Sequence, residues 1–364
     1  MERATFARVR VPDPPIVVDP ADVTPAWLTE VLQAAGHDVQ VVSLRHEPVG
    51  TGQMAHNERF FLSYDGDAGG APSTLVGKFP SPDEASRNAG SSGVYRTEVR
   101  FYTELAGELA IRVPNCFYGA VSEDSSEFTL LLEDMAPNRQ GDQIDGAAPG
   151  QIEAALVNLA GLHGPRWGDA RLADIEWMAG GLTEIAVPLV QGVTPAFLER
   201  FSGRLSKHAQ RVLQGFSAGI ERWLETMPGP ATLVHGDYRL DNLLFATRPG
   251  DAPVAAVDWQ TLSLGPGGRD TAYLLGNGCA PSVRRACEGR LLEAYAKALA
   301  RHGIARSAAE VLEDYRHGSF QGPLVTMLGC MAVGRTARGD AMFLAMAERS
   351  AAQILDLEAL DLIL

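Results

Sequence analysis

The chain has 364 residues, 46% of them hydrophobic, with 45 acidic against 31 basic side chains and a net charge of −14. That length supports a large core and two lobes, and the negative charge disfavours nucleic acid and an anionic membrane surface as partners. The N-terminus holds no apolar run of signal-peptide type, and the apolar run from Leu324 to Val333 is too short to span a bilayer, so a cytoplasmic protein is expected. Its cysteines, Cys116, Cys279, Cys287 and Cys330, form no CxxC pair and match no zinc spacing, which predicts free thiols.

Val39 to His46 and Asn57 to Tyr64 read as two strands around the segment from Pro48 to Met54, which contains Gly50-Thr51-Gly52. Glycines in such a turn let backbone amides approach an anion, so Gly50 and Gly52 are candidate phosphate contacts, although any hairpin can carry them. Leu75 to Phe79 reads as a third strand and carries Lys78. Val94, Phe101, Leu105 and Leu109 recur at helical spacing on one face. A strand lysine and a helix glutamate are the pair that kinase chemistry sets on nucleotide phosphates. Glu98, near the helix start, is preferred to Glu104 as that glutamate. Phe128 to Met135 is an apolar strand ending in acids. Glu133 and Met135 would flank a connector whose backbone meets an adenine edge, or the segment is an ordinary core strand with a polar end.

From Pro149 onward helical spacing dominates. Ile152, Leu156, Leu159 and Leu162 mark one helix face, and His163 closes that helix. Further helices are predicted over 173–187, 194–203, 206–226, 283–302, 307–317, 320–337 and 340–362. Asp270 either caps a helix and binds backbone amides or reaches an active site. Tyr273, Asn277, Tyr315 and Gln321 are candidate acceptor contacts, and Leu274, Leu275, Phe320, Leu324, Met327 and Leu328 could wall an apolar pocket.

The densest signal is His235-Gly236-Asp237-Tyr238-Arg239-Leu240-Asp241-Asn242, followed after a turn by Val257-Asp258-Trp259-Gln260. Leu243 to Ala246 and Val254 to Val257 are apolar runs flanking turn formers, so an antiparallel hairpin is predicted with Leu243 facing Val257 and Asn242 facing Asp258. Phosphoryl transfer needs one carboxylate to accept the proton of the attacking hydroxyl, and an amide oxygen and a second carboxylate to hold magnesium. Asp237, Asn242 and Asp258 supply those three groups. A metal hydrolase is disfavoured, because His56, His163, His208 and His235 show no metal-ligand spacing.

With Lys78, Glu98, His235-Gly236-Asp237, Asn242 and Asp258 in order, the chain resembles the aminoglycoside phosphotransferase and choline-kinase-like family of small-molecule kinases. The resemblance implies an α+β, protein-kinase-like fold in two lobes, with a nucleotide-binding sheet lobe over 1–135 and a mostly helical catalytic lobe over 136–364. It implies Asp237 as catalytic base, Asn242 and Asp258 as magnesium ligands, and Lys78 as a phosphate-binding lysine held by Glu98. His235 would orient the catalytic loop. The implied cofactors are magnesium and ATP, with GTP as the alternative. The implied partner is a small-molecule hydroxyl compound, for a monomer or homodimer. Asp258-Trp259-Gln260 replaces the Asp-Phe-Gly of protein kinases and no Ala-Pro-Glu follows, which favours a small acceptor over a protein. The segment from Asp258 to Asp270 is closer to the ecdysteroid-kinase-like and acyl-CoA-dehydrogenase-associated branches than to resistance enzymes. The alternatives are a catalytically silent nucleotide-binding protein of the same fold and a true aminoglycoside O-phosphotransferase.

Overall fold

The computed structural model describes residues 14–50, 54–178 and 183–364. Two compact units emerge, and neither is one continuous stretch of chain. The first takes Met1–Leu109, Val113–Ala136 and Asp258–Thr261, and the second takes Ala110–Arg112, Pro137–Val257 and Leu262–Leu364.

The first unit is built on a five-stranded antiparallel sheet in the order β1-β2-β3-β5-β4. Its strands are β1 (Val41–Pro48), β2 (Ala55–Tyr64), β3 (Thr74–Pro80), β4 (Cys116–Val121) and β5 (Phe128–Glu133). Helix α1 (Pro25–Ala34) starts where Thr24 Oγ1 accepts the Trp27 N–H at 3.2 Å, with Pro25 pre-set for the first turn. It buries Trp27, Leu28, Val31 and Leu32 against Phe60, Leu75, Phe79 and Leu131 of the sheet. Helices α2 (Glu84–Ser91) and α3 (Val94–Arg100) follow β3. The chain then widens into a π-helical turn over Phe101–Leu105, whose Phe101, Tyr102 and Leu105 are buried. Such a turn inserts a residue into the helical ladder and is often kept for a local purpose. Here it aims the Phe101 ring at Trp259, with centroids 3.6 Å apart and planes within 8°.

The second unit is mainly helical. Its helices are α4 (Pro149–His163), α5 (Thr183–Arg200), α6 (Lys207–Glu225), α7 (Gly268–Asn277), α8 (Pro281–Ala300), α9 (Ala308–Gly318), α10 (Gln321–Ala332) and α11 (Ala337–Asp356). Two small antiparallel sheets join them: β6 (Arg139–Gln140), β8 (Leu243–Phe245) and β9 (Val254–Ala256) form one, and β7 (Thr232–Val234) pairs with β10 (Ser263–Gly265) in the other. Of the expected helix over 173–187, residues 173–174 and 176–178 lie in short 3-10 turns, and where a break was expected between 187 and 194 the single α5 runs through Pro188 and Pro195. Ala186, Val190, Phe197 and Phe201 lie on one face across both prolines and are buried in the main core with Phe216, Phe320 and Met346. Burial of that continuous face outweighs the lost hydrogen bonds.

The predicted hairpin forms, but one residue out of register. Leu243 pairs with Ala256, Leu244 with Ala255 and Phe245 with Val254. The Ala246 N–H donates to the Pro253 carbonyl at 3.0 Å, so Pro253 belongs to the ladder rather than to the turn. Proline lacks a donor but keeps its acceptor, which suits this position. Asn242 therefore faces Val257, whose N–H donates to the Asn242 carbonyl at 3.0 Å. Asp258 then takes a left-handed conformation, φ 69°. All four cysteines are free, Cys279 and Cys330 being buried. Among the described residues, no helix is long and apolar enough to cross a membrane.

Candidate active site

In the first unit the sheet, α3 and the segment after β9 bring together Lys78, Glu98 and Asp258. Lys78 lies in β3 opposite Asn57 of β2. Its Nζ donates to both Glu98 oxygens, at 2.5 and 2.7 Å. Glu98 is 1% exposed, so this pair is withdrawn from water. Glu104, the rival partner, is exposed and lies 3.7 Å from Arg100. Glu98 also accepts the Trp259 N–H at 3.4 Å and the Gln260 side-chain amide at 3.3 Å. Asp258 Oδ1 lies 3.7 Å from Lys78 Nζ, too far for a hydrogen bond, and this buried oxygen has no hydrogen-bond partner. Burial alone would lower the Lys78 ammonium, but the charges of Glu98 and Asp258 outweigh it and hold the group above its ordinary value.

The turn between β1 and β2 falls partly outside the described residues. Gly52 is among those left out. Gly50 has φ 79°, a conformation that favours glycine, and the Val49 N–H donates to the Asn57 carbonyl at 3.1 Å. The Asn57 side-chain oxygen is buried without a partner. At the end of β5, the Glu133 N–H donates to the Asn115 carbonyl at 2.8 Å and its carboxylate accepts the Asn115 N–H at 3.0 Å. That N–H is thus already paired within the sheet end; Met135 follows it.

In the second unit the loop from His235 to Asn242 presents Asp237. Asp237 Oδ2 accepts from Asn242 Nδ2 at 2.9 Å and from Arg239 Nε at 3.1 Å. Asp237 Oδ1 accepts the Tyr273 hydroxyl at 2.8 Å. Burial, then the Asp237 charge, pushes the Tyr273 phenol well above its ordinary value, so it acts as a neutral donor. Asn242 Nδ2 donates to the Asp237 carbonyl as well, at 2.9 Å, which fixes the amide's orientation and turns its oxygen away from Asp237.

A shell of buried side chains holds this loop. Asp270, from α7, accepts the N–H groups of His235 at 2.7 Å and Gly236 at 2.9 Å. It does bind backbone amides, but those of the loop rather than of its own helix. Burial would raise its carboxyl, yet the hydrogen bond and charge of His163 and the other partners bring it below its ordinary value. His163, the last residue of α4, is fully buried and also contacts the Tyr295 hydroxyl at 2.6 Å, so it braces Asp270. The Asp237 N–H donates to His235 Nδ1 at 3.3 Å, which makes Nε2 the protonated nitrogen facing the Val257 carbonyl at 3.1 Å. Gln321 donates to the Gly236 carbonyl at 2.6 Å, and Gln143 accepts the Leu240 N–H at 3.0 Å.

Several expected acceptor contacts lie elsewhere. Asn277 is buried and bonded to Ser350 and Tyr273, and Tyr315 bonds Glu288. Leu274, Leu275, Phe320, Leu324 and Met327 are core residues at 3% exposure or less and wall no open pocket. Sequence reasoning missed Gln143, Gln260 and the pairing of Arg239. Only the polar pattern Tyr238-Arg239-Leu240-Asp241, with charges on alternate residues, could have flagged Arg239.

Comparison with known proteins agrees with this arrangement. Residues 48–323 match the model of the phosphotransferase enzyme family (APH). No curated protein matches the chain in sequence. Among solved structures, a candidate aminoglycoside phosphotransferase from Ralstonia eutropha is 18% identical, over 90% of this chain and 98% of that one, with a TM-score of 0.52. The GDP complex of aminoglycoside 2'-phosphotransferase-IIIa is 14% identical, over 90% and 99%, with a TM-score of 0.52. Choline kinase from Cryptosporidium parvum is 10% identical, over 86% and 89%, with the same TM-score of 0.52. At these identities the likeness is one of fold, the protein-kinase-like α+β architecture. The match over residues 48–323 establishes more: this chain belongs to the phosphotransferase enzyme family.

Proposed function

We propose that this protein is an ATP- and magnesium-dependent kinase that transfers the γ-phosphoryl group to a hydroxyl of a small molecule. The observation that carries the proposal is the buried Lys78–Glu98 pair beside an Asp258 oxygen that accepts no hydrogen bond. Asp258 Oδ1 faces the Lys78 ammonium at 3.7 Å and the carboxylate is 40% exposed, so it is partly neutralised yet open to a second cation. Asp258 and the Asn242 amide are hard oxygen donors of the kind magnesium takes, so the residues fit the ion. When bound, magnesium would neutralise charge on the nucleotide phosphates.

The roles follow from chemistry. Lys78 binds phosphate oxygens, and Glu98 keeps its ammonium charged and aimed. Asp237 accepts the proton of the acceptor hydroxyl. The acceptor oxygen bonds to the γ-phosphorus as the bond from that phosphorus to the β–γ bridging oxygen breaks, and ADP leaves with the electron pair. Gly50, and Gly52 with it, would approach the phosphates, and the backbone near Glu133 and Met135 the base. The GDP in the 2'-phosphotransferase-IIIa structure supports a purine nucleotide as donor. The Asp258-Trp259-Gln260 form supports a small acceptor.

The test is a thermal melt with ATP, with and without magnesium, followed by ADP release in the presence of hydroxyl compounds. Stabilisation that needs magnesium, with ADP release lost in Asp237→Asn, is expected. A protein neither stabilised by the nucleotide nor able to release ADP would overturn the proposal.

A further inference from the structure

The carboxylates around Asp237 are already matched with cations. Arg239 reaches Asp237 through Nε at 3.1 Å and Asp241 through Nη1 at 2.7 Å. Arg338, from the start of α11, lies 3.0 Å from Asp142 and 3.7 Å from Asp241. These carboxylates cannot readily turn away. Asp142 accepts the N–H groups of Ile144 at 2.7 Å and Asp145 at 3.1 Å, and Asp241 Oδ1 accepts the Gln143 N–H at 2.9 Å. Arg349 clamps the same loop, donating to the carbonyls of Gln143 at 2.8 Å and Ile144 at 2.7 Å. With Asp145 of the same loop and Arg349 counted, four aspartates face three arginines, which leaves a single uncompensated negative charge. Arg239 Nη1 also lies 3.3 Å from the Met342 thioether.

We infer, resting on the kinase reading above, that the acceptor is a hydroxyl compound that does not carry several ammonium groups, and that Arg338 with Arg239 sets this preference by occupying the aspartates a polycationic acceptor would need. Several ammonium groups bind tightly only where unpaired carboxylates lie within about 8 Å, the screening length at physiological salt. Here the near carboxylates are held by guanidinium groups, so a polycation meets arginines first. Like charges brought together at an interface suppress the wrong partner. A hydroxyl flanked by uncharged groups meets no such barrier.

The probe is kanamycin, titrated calorimetrically at about 0.15 M salt into the full chain, its Arg338→Glu variant and its Arg338→Gln variant. The Arg338 side chain is 54% exposed, so neither replacement disturbs the core. The wild type is expected to give no saturable heat. Arg338→Glu, which frees Asp142 and adds a carboxylate, is expected to bind kanamycin at least about tenfold tighter than wild type, a gain of about 1.4 kcal/mol, with Arg338→Gln in between. Saturable binding of kanamycin by the wild type would overturn the inference, and so would variants that bind no better than wild type. Binding is read without turnover, so this result stands apart from the ADP-release test of the kinase activity itself.

Discussion

Asn242 donates one amide nitrogen to two oxygens of Asp237, its carbonyl and its carboxylate, each at 2.9 Å. The five-residue spacing is therefore a closed ring. The loop folds back so that the amide holds the carboxylate and presents its own oxygen elsewhere. Catalysis by positioning depends on such locked side chains, because small displacements of a base are costly in rate.

Asp237→Asn should abolish phosphoryl transfer while leaving nucleotide binding close to wild type. The carboxylate accepts hydrogen bonds from Tyr273 and Arg239, which an amide can replace only in part. General-base contributions amount to roughly 10²–10⁴-fold in rate. Single-turnover ADP release from wild type and variant measures it, and a variant with more than half the wild-type rate would remove Asp237 from that role.

Asp258→Ala should weaken magnesium-dependent ATP binding more than Asn242→Ala does. A carboxylate offsets ionic charge that a neutral amide oxygen cannot, and Asp258 also faces Lys78. Calorimetric titration with ATP and magnesium compares the two. Equal affinities for wild type and Asp258→Ala would contradict the assignment.

Asp270→Asn should destabilise the second unit and lower turnover together. The change removes the charge bonded to two loop amides and His163, and it sets an NH2 group against at least one buried donor. A buried donor left unpaired costs about 1–3 kcal/mol. Urea midpoints and kcat should both fall; a variant with an unchanged midpoint would show that Asp270 is not needed to hold the loop.

Stability should decline between pH 6.5 and about 4 through His317, whose imidazole is brought down from its ordinary 6.5 to about 4. Burial is the main cause; the Trp223 hydrogen bond opposes it and the charge of Arg269 adds to it. Across this window the unfolded chain binds a proton that the folded chain refuses, so lowering the pH favours unfolding. Below about 4 both forms are protonated and this contribution ends. His317→Gln keeps an acceptor for Trp223 and should flatten the slope of urea midpoint against pH in that window. An unchanged slope would rule His317 out as its source.

Much of the site was legible because its chemistry is local. Asp237 and Asn242 are five residues apart, and the hairpin after them follows from two apolar runs and a turn. Lys78 and Glu98 are twenty residues apart, yet a strand and a helix that each bury one face leave few alternatives for the pair. The register error arose because Pro253 was read as a turn former, and nothing local says that its carbonyl joins the ladder. The break expected between 187 and 194 does not form, because Ala186, Val190 and Phe197 bury one continuous face. The acceptor contacts were misread for another reason. Apolar residues at helical spacing read alike whether they wall a pocket or fill a core. Gln143 was illegible and Gln321 was read as an acceptor contact, since they lie 97 and 85 residues from their loop partners and carry no charge pattern.

The stack of Trp259 on Phe101 has a bearing on how the chain is born. Asp258–Thr261 belongs to the first unit, although about 120 residues of the second precede it in sequence. Domains emerging from the ribosome usually fold in order, the earlier one first. Here the first unit can assemble its sheet early, but the Phe101 ring and the Glu98 carboxylate keep an open side until residue 261 has been synthesised. Glu98 gains its Trp259 and Gln260 partners only then, so completion of the first unit waits on translation of most of the chain.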